Sequence, residues 1–176
     1  MTILTTERLR LEPIDAHHLE GLHAMNSLPE VMRFVSGQPE TLDQTRNMIA
    51  VVKERWAAYG FSWWAFIERA TGRLVGAGCI QHLGRDPANP HEIGWRLAPD
   101  CWGQGLASEA ARAMAAFAFD TLGAPSLVAV CLPENAASRR VMERLGLHYR
   151  GLETWYERPH AVYGMTRHDW LAREEA

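Results

Sequence analysis

A glycine-rich turn that leads directly into a helix is the part of this sequence best suited to chemistry. Segment 93–111 has the pattern of a strand, a turn marked by Pro99, and then Gly103-Gln104-Gly105 at a helix start. Glycine permits a tight turn and lets a ligand approach the backbone without meeting a Cβ. The unpaired N–H groups of a helix start, together with the helix dipole, favour a phosphate or pyrophosphate. The pattern therefore predicts a phosphate-binding turn, and a turn that binds nothing is the alternative.

A second helix start with polar side chains follows the next predicted strand. Asn135 is placed as an N-cap, and Ser138 lies three residues later. Both side chains could serve only the backbone N–H groups of that helix. Arg139, Arg140 and Arg144 form a basic cluster, which fits either a solvated helix face or contact with a phosphate. The sequence leaves these alternatives open.

A mixed α/β scaffold must position these two segments. Alternating or continuous apolar residues predict strands over 9–14, 62–68, 74–82, 91–97, 127–132, 149–157 and 161–168. Helical spacing predicts helices from Asp15 to about 26, over 42–59, 106–122 and 136–145, and a short helical turn after Pro29. The glycine turn thus follows the fourth predicted strand and has Ser at position 108. A Rossmann turn follows the first strand and needs a third glycine, so that class is excluded.

Composition excludes several further classes. A chain of 176 residues with 47% hydrophobic and 22% charged residues fits one compact domain, 1–176, and not a disordered or low-complexity protein. The net charge of -3 gives no basic surface, so we expect no nucleic-acid partner. No apolar run approaches the ~18 residues of a membrane span, and an acidic residue comes too early for a signal peptide. We expect a soluble, cytoplasmic protein with no membrane partner.

Cysteine and histidine do not form a metal-binding pattern. Cys79, Cys101 and Cys131 lie far apart and form no Cys-x-x-Cys pair, and the eight histidines form no His-x-x-x-His pair. We therefore expect buried thiols and no metal site.

Together, the two segments resemble the GNAT superfamily of acyl-CoA-dependent N-acetyltransferases. Trp-Gly-Gln-Gly-Leu-Ala at 102–107 is similar to its pyrophosphate signature, Arg/Gln-x-x-Gly-x-Gly/Ala, and Asn135-x-x-Ser138 matches its second motif. The opening at 4–13 and His-Glu-Ile-Gly-Trp at 91–95 are similar to the RimJ/RimL-like branch. The resemblance covers about residues 4–170. It implies a mixed central sheet of about six to seven strands with helices on both faces, in which the fourth and fifth strands splay apart.

The resemblance implies acetyl-CoA as the cosubstrate, no metal, and a set of binding residues. Backbone groups of Trp95, Arg96 and Leu97 would pair with the pantetheine arm. The pyrophosphate would be held by the N–H groups of Gly103, Gln104, Gly105, Leu106, Ala107 and Ser108. Asn135 would contact the pantetheine, and Arg140 or Arg139 would reach a phosphate.

Transfer to an amine adds two chemical demands. An alkylamine has a pKa near ~10 and must lose a proton before it attacks, so a base or a water relay is needed. Glu92, beside the predicted splay, is the candidate base, and a cross-strand ion pair with an Arg is the alternative. Ser138 is the candidate acid, because Met142 occupies the position where many family members carry Tyr. A purely capping role for Ser138 is again the alternative.

The predicted function is acetyl transfer to a primary amine, by direct attack in a ternary complex. The acceptor is a protein N-terminus or a small molecule, and the sequence does not choose between them or between a monomer and a homodimer. Two alternatives remain: a catalytically silent CoA-binding sensor on the same fold, and an unrelated α/β protein with another phosphate ligand. Most aromatic residues near the expected acceptor pocket are expected in the core, and a few to line the pocket: Trp56, Trp63, Trp64, Trp155, Tyr156 and Tyr163.

Overall fold

A mixed sheet of eight strands organises the computed structural model, which describes residues 1–174. The strands are β1 (Leu4–Thr5), β2 (Leu9–Pro13), β3 (Trp63–Glu68), β4 (Leu74–His82), β5 (His91–Leu97), β6 (Ser126–Cys131), β7 (His148–Trp155) and β8 (Arg158–Thr166). Their order in the sheet is β1-β2-β3-β4-β5-β6-β8-β7. β5 and β6 pair in parallel. The pairs β1–β2, β2–β3, β3–β4, β6–β8 and β8–β7 are antiparallel.

Six α-helices within residues 1–174 complete the fold. They are α1 (Leu19–Asn26), α2 (Pro29–Met32), α3 (Leu42–Tyr59), α4 (Leu106–Ala116), α5 (Ala136–Leu145) and α6 (Arg167–Glu174). α3 illustrates how local sequence sets the bounds: Thr41 and Gln44 form a capping box at its start, and Gly60, with φ +75°, ends it. Among residues 1–174 no helix has the length and apolar character that a bilayer span requires.

The chain divides into two compact units, of which the first comprises residues 1–79 and 95–110. Its core follows the strand period, since Leu9 and Leu11 on β2 are fully buried and the residues between and after them are not. β3 adds Trp64, whose ring lies 4.9 Å from that of Trp56 on α3 in an edge-on arrangement. α1 packs against α3. This unit contains the glycine turn.

The second unit comprises residues 80–94 and the chain from 111 onward. β8 runs through its centre, between β6 and β7, and its residues Tyr163 and Met165 are buried. Phe119 stacks on Trp170 of α6, with ring centroids 5.5 Å apart. This unit contains Glu92 and the helix start at Asn135.

The predicted fold class is confirmed, with three differences in detail. The sheet has eight strands because β1, with only two residues, is too short to show an alternating pattern. The last predicted strand ends at Thr166, where Thr166 and Asp169 exchange hydrogen bonds that begin α6. The predicted helix 106–122 ends at Ala116 and continues as a π-helical turn, Phe117–Thr121. That residues 1–176 form a single domain stays a prediction.

Candidate functional site

The turn 103–105 has a backbone that glycine adopts readily and other residues do not. Gly103 has φ +73° and Gly105 has φ +80°. A Cβ at Gly103 would meet nothing within 4 Å, and a Cβ at Gly105 would lie 3.5 Å from the Arg8 guanidinium. The Glu109 N–H donates to the Gly105 carbonyl at 3.0 Å, so α4 begins here. The N–H groups of residues 106–108 consequently have no acceptor within the helix.

The side chain of Ser108, the third residue of α4, is enclosed by the protein. Its Oγ is buried and has no hydrogen-bond partner within the described residues 1–174. A buried hydroxyl without a partner costs free energy, so native structures satisfy such groups with water or a ligand. Because the Ser108 Oγ is fully enclosed, it does not face the turn. The unpaired N–H groups and the open turn fit an anion such as pyrophosphate.

The turn between β1 and β2 holds α4 in place. Thr6 Oγ1 donates to Glu109 Oε1 at 2.6 Å, and Arg8 Nε donates to Glu109 Oε2 at 2.7 Å. Burial alone would raise the pKa of Glu109, but these hydrogen bonds outweigh it and the pKa is lowered. Arg8 also donates from Nη1 to the Gln104 carbonyl at 2.8 Å. Sequence analysis missed Arg8, and no local signal could have found it, because 96 positions separate it from Gln104.

Trp102 occupies the position at which the signature usually has Arg or Gln. Its indole N–H donates to the Leu97 carbonyl at 2.9 Å, and half of the residue is exposed. The Leu97 carbonyl, a predicted pantetheine contact, therefore already has a partner within the chain. Gln104 donates from Nε2 to the Asp100 carbonyl at 2.8 Å, which closes the turn from the other side.

In the second unit, β5 and β6 pair over a very short distance. Their parallel register joins His91 with Leu127 and Glu92 with Val128, and within the described chain it contains no further pair. Ile93 and Gly94 thus continue β5 without a partner in β6. This agrees with the predicted splaying of the fourth and fifth strands, which are β5 and β6 here, and Glu92 lies at the point where they part.

Glu92 is buried and is held by neutral donors. It is 6% exposed, and its Oε2 accepts hydrogen bonds from Gln81 Nε2 at 2.9 Å and from the Tyr156 hydroxyl. No Arg of residues 1–174 forms an ion pair with it, so the alternative of a cross-strand ion pair is wrong. Burial raises the pKa of Glu92, and the bonds from Tyr156 and Gln81 and the charge of Arg85 offset this only in part. A carboxyl with a raised pKa is better matched to accepting a proton near neutral pH.

The free edge of Glu92 is equally informative. Both hydrogen bonds reach Oε2, which leaves Oε1 without a partner within residues 1–174. Oε1 is not among the fully enclosed polar atoms that lack a partner, so it retains some contact with solvent. A proton could therefore reach Glu92 at Oε1.

Tyr156 is the second residue that sequence analysis did not connect with the site. It lies in the turn between β7 and β8, where Tyr156 and Glu157 have φ values of +51° and +62°. Its hydroxyl accepts the Gly84 N–H at 3.2 Å and donates to Glu92, 64 positions away. Arg85 lies over its ring, 5.9 Å from the centroid. The sequence placed Tyr156 only among aromatic residues near the acceptor.

The start of α5 agrees with the predicted cap. Asn135 Oδ1 accepts the Ser138 N–H at 3.1 Å, and the Asn135 amide nitrogen and Ser138 hydroxyl have no partner within residues 1–174. Arg139 donates from Nε to the Tyr163 hydroxyl at 3.0 Å, whereas Arg140 is exposed. Arg140 is therefore the better candidate for a phosphate, and the roles of Asn135, Ser138 and Arg140 stay predictions.

One group of side chains lies close enough to hold a metal ion. Ligand atoms of Glu12, His17 and His18 all lie within 4.8 Å of one another. However, His18 Nδ1 accepts the Asp15 N–H at 3.0 Å, so Nε2 carries the ring proton and faces Glu12 at 3.3 Å. A protonated ring nitrogen is not a metal ligand. The contacts favour a hydrogen-bonded anchor for the turn before α1, and the expected absence of a metal stays a prediction.

The three cysteines are free and buried, as the sequence predicts. Burial raises the pKa of Cys131 to about 11. Since the thiolate is the nucleophilic form, this thiol is unreactive at neutral pH.

Comparison with known proteins identifies relatives over nearly the whole chain. The family model described as "Acetyltransferase (GNAT) domain" matches residues 8–148. A Bacillus subtilis protein, YkkB, is 34% identical over 165 residues, which cover 92% of this chain and 94% of that protein. An Aspergillus fumigatus enzyme, FsC-acetyl coenzyme A-N(2)-transacetylase, is 31% identical over 194 residues, which cover 98% of this chain and 79% of that enzyme.

A solved structure shows the same fold. RimL, a ribosomal-protein α-N-acetyltransferase in complex with coenzyme A, superposes with a TM-score of 0.80 over 94% of this chain and 98% of its own. Only 17% of residues are identical, so this likeness concerns the fold alone.

Proposed function

The chain belongs to the GNAT acetyltransferase family, and we propose that it transfers the acetyl group of acetyl-CoA to a primary amine. Membership makes it an acyltransferase and removes the alternative of an unrelated α/β protein. The observation that carries the proposal is the glycine turn at Gly103 and Gly105, which leads into a helix start whose first N–H groups have no acceptor within the helix. The acceptor is the amine of a protein N-terminus or of a small molecule.

The residues of each unit support binding of the cosubstrate. In the first unit, the backbone N–H groups of residues 103–108 would hold the pyrophosphate, with Arg8 beside them. In the second unit, the Asn135 amide nitrogen and Arg140 are the proposed contacts with pantetheine and a phosphate. Acetyl-CoA, when bound, supplies the thioester from which the acetyl group is transferred.

Glu92 and Ser138 are the proposed proton-transfer groups. The acceptor reaches the enzyme mostly as an ammonium ion and must lose one proton before its nitrogen can form the new C–N bond. Glu92 would take this proton at Oε1, directly or through a water molecule, while Gln81 and Tyr156 hold the other oxygen. As the C–S bond breaks, the nitrogen loses its second proton and the leaving thiolate gains one, and the Ser138 hydroxyl would relay this proton by accepting one and donating the other.

Calorimetric titration with acetyl-CoA, CoA and ATP tests the cosubstrate first. The informative variant is Gly103→Ala, because a Cβ there meets nothing and the change acts through the positive φ and the approach of a ligand. Gly60→Ala is its matched control, since Gly60 has φ +75° and equally open surroundings but lies at the end of α3. Both variants should lose about 1 kcal/mol of stability from backbone strain.

The titrations give distinct results for the two variants. We expect the wild type and Gly60→Ala to bind acetyl-CoA and CoA equally well and ATP not at all. Gly103→Ala should bind acetyl-CoA about tenfold or more weakly, because loss of a single well-placed contact in a phosphate site costs about 1.4 kcal/mol or more. Equal weakening in both glycine variants, or no binding of acetyl-CoA by the wild type, contradicts the proposed site.

A further inference from the structure

The guanidinium of Arg96 on β5 is buried, and the protein contacts only its Nε and one face. The residue is 8% exposed. Its Nε donates to Asn26 Oδ1 at 3.0 Å, and its Cζ lies 4.6 Å from the centroid of the Trp63 ring. The two terminal nitrogens, Nη1 and Nη2, have no hydrogen-bond acceptor within residues 1–174, and the side chain forms no ion pair there.

A chain of buried polar groups fixes the orientation of this guanidinium. Asn26, on α1, is fully buried and donates from Nδ2 to Glu40 Oε2 at 2.8 Å. Thr45, on α3, donates to the same oxygen at 3.1 Å. Asn26 is therefore held from two sides and presents Oδ1 to Arg96. With Nε bonded and one face on Trp63, the guanidinium can turn little, and the edge formed by Nη1 and Nη2 has a fixed direction.

That edge is not completely enclosed by the protein. The fully enclosed polar side-chain atoms that lack a partner are His23 Nδ1, Ser62 Oγ, Ser108 Oγ and Trp170 Nε1 among the described residues. The terminal nitrogens of Arg96 are not among them, although no protein group pairs with them. They are therefore accessible at the end of an otherwise buried side chain.

The charge of Arg96 remains without a directly bonded counter-ion. Burial lowers the pKa of its guanidinium and the Glu40 carboxylate raises it, yet Arg stays protonated in proteins. Glu40 forms no direct hydrogen bond with Arg96, and Asn26 connects the two side chains. A buried cation is costly unless an anion or several hydrogen bonds compensate it. A planar fork of two N–H donors is the geometry that binds a carboxylate through both oxygens.

We propose that Nη1 and Nη2 of Arg96 bind a carboxylate of the acceptor, so that the preferred acceptors are amines that also carry a carboxylate group. The inference rests on the proposed function, because it names the acceptor of that activity. The carboxylate has two possible sources, namely the α-carboxylate of a free amino acid and the side chain of an acidic residue near a peptide N-terminus. Both offer the same two oxygens to the guanidinium.

Acceptor pairs that differ only in the carboxylate test this directly. The first arm compares free amino acids with their α-carboxamides, and the second compares short peptides containing Asp or Glu with the same peptides containing Asn or Gln. We expect the wild type to favour the carboxylate member of one arm by about tenfold or more in kcat/KM, which is the discrimination that one charge-assisted contact supplies. The arm that shows the preference identifies the source.

Variants at position 96 connect that preference with the guanidinium. Arg96→Gln should reduce the carboxylate-to-carboxamide ratio by about tenfold or more relative to the wild type, while the Kd of acetyl-CoA is unchanged. Arg96→Lys keeps the charge without the fork and should retain part of the preference. Arg73→Gln is the control, because Arg73 pairs with Asp100 at 2.6 Å at an exposed position and should leave the ratio unchanged. A ratio unaffected by Arg96→Gln, or a loss of acetyl-CoA affinity in its place, overturns the proposal.

A binding measurement separates this proposal from the proposed function. N-acetylglycine and N-acetylglycinamide differ in the carboxylate and have no free amine, so they test binding without turnover. We expect N-acetylglycine, and not its amide, to shift the NMR resonances of the Arg96 Nη groups. This result without binding of acetyl-CoA would disprove the proposed function and keep the carboxylate site. Turnover of amines with no such shift and no carboxylate preference would keep the function and disprove the site.

Discussion

Two buried charged side chains on β5, Glu92 in one unit and Arg96 in the other, are held in a similar way. Glu92 receives two hydrogen bonds from neutral donors, Gln81 and Tyr156, on a single oxygen. Arg96 donates one bond to a neutral acceptor, Asn26, and lies against an indole ring. Each keeps one polar edge without a protein partner. Neutral partners fix the direction of a charge without neutralising it, which leaves the charge available to a ligand.

The two groups differ in how burial affects their protonation. A buried carboxyl can relieve the cost of its charge by binding a proton, so its pKa is raised and it titrates. A guanidinium has no such route at accessible pH and remains a cation. Similar surroundings thus produce a group that exchanges protons in one unit and a permanent electrostatic anchor in the other. The comparison predicts that Glu92 contributes to the rate and Arg96 to acceptor selection.

Replacement of the carboxylate should give the largest effect. Glu92→Gln keeps the shape of the side chain but cannot accept a proton. We expect kcat at pH 7 to fall roughly 100- to 10,000-fold, the range for loss of a general base. The rate should recover at high pH, where the acceptor loses its proton to solvent, and the Kd of acetyl-CoA should stay the same. Steady-state kinetics between about pH 6 and pH 10 would measure this.

The same variant tests whether a lost rate reflects lost folding. Because the pKa of Glu92 is higher in the folded state, the folded protein binds more protons, and its stability falls as pH rises from the ordinary Glu value through the raised one. Gln does not titrate, so Glu92→Gln should become more stable relative to the wild type as pH rises. Glu12→Gln, at a carboxylate that is only partly buried, is the activity control. Equal kcat in Glu92→Gln and wild type at neutral pH would disprove the role of Glu92.

Removal of the neutral acceptor beside Arg96 should give the next largest effect. Asn26→Ala leaves the Nε of a buried cation without its hydrogen bond and breaks the connection to Glu40. Loss of a buried hydrogen bond to a charged group costs about 2–3 kcal/mol. We expect a decrease of this size in the free energy of unfolding, measured by urea denaturation. Asn47→Ala, at an exposed position of α3, is the control and should change it by less than about 0.5 kcal/mol.

A double-mutant cycle sharpens this result. If Asn26 stabilises the protein through Arg96, then Asn26→Ala should cost much less in the Arg96→Gln background. Additive costs in the two backgrounds would show that Asn26 acts mainly through packing or through Glu40. The conclusion that a neutral partner holds Arg96 as Gln81 and Tyr156 hold Glu92 would then be wrong.

What could be predicted from the sequence depends on how far apart the interacting residues lie. The glycine turn and the cap at Asn135 are local features, in which neighbouring residues determine φ and the first hydrogen bonds of a helix. The same applies to the end of α3 at Gly60. Such features follow from the properties of individual residue types, and the structure agrees with them.

The partners of the two buried charges could not be predicted, because sheet pairing and turns bring them together from distant positions. Tyr156 lies 64 positions from Glu92, and Asn26 lies 70 positions from Arg96. Neither pair has a spacing or composition that distinguishes it from other pairs of polar residues. β1 and α6 were missed for a related reason, since two residues and a charged C-terminal segment show little periodicity.

The smallest effect should come from the donor that stabilises the Glu92 carboxylate. Tyr156→Phe removes a hydrogen bond to the ionised form, so the already raised pKa of Glu92 should rise further. Since Glu92 is an active base only when ionised, activity is lost as pH falls through this pKa, and in the variant the loss should begin at a higher pH. At pH 7 we expect kcat/KM to fall by about tenfold, corresponding to one hydrogen bond to a charged group.

The shape of the pH profile distinguishes this effect from a structural defect. Tyr149→Phe is the matched control. Tyr149 packs beside Tyr163 on the neighbouring strand, and Tyr149 itself is half exposed. A displaced acidic limb with an unchanged rate at high pH means that Tyr156 acts through the protonation of Glu92. A uniform decrease at every pH means that Tyr156 mainly shapes the turn between β7 and β8. In that case Gln81 alone would fix the orientation of Glu92. Glu92 and Arg96 would then each depend on one neutral hydrogen-bond partner.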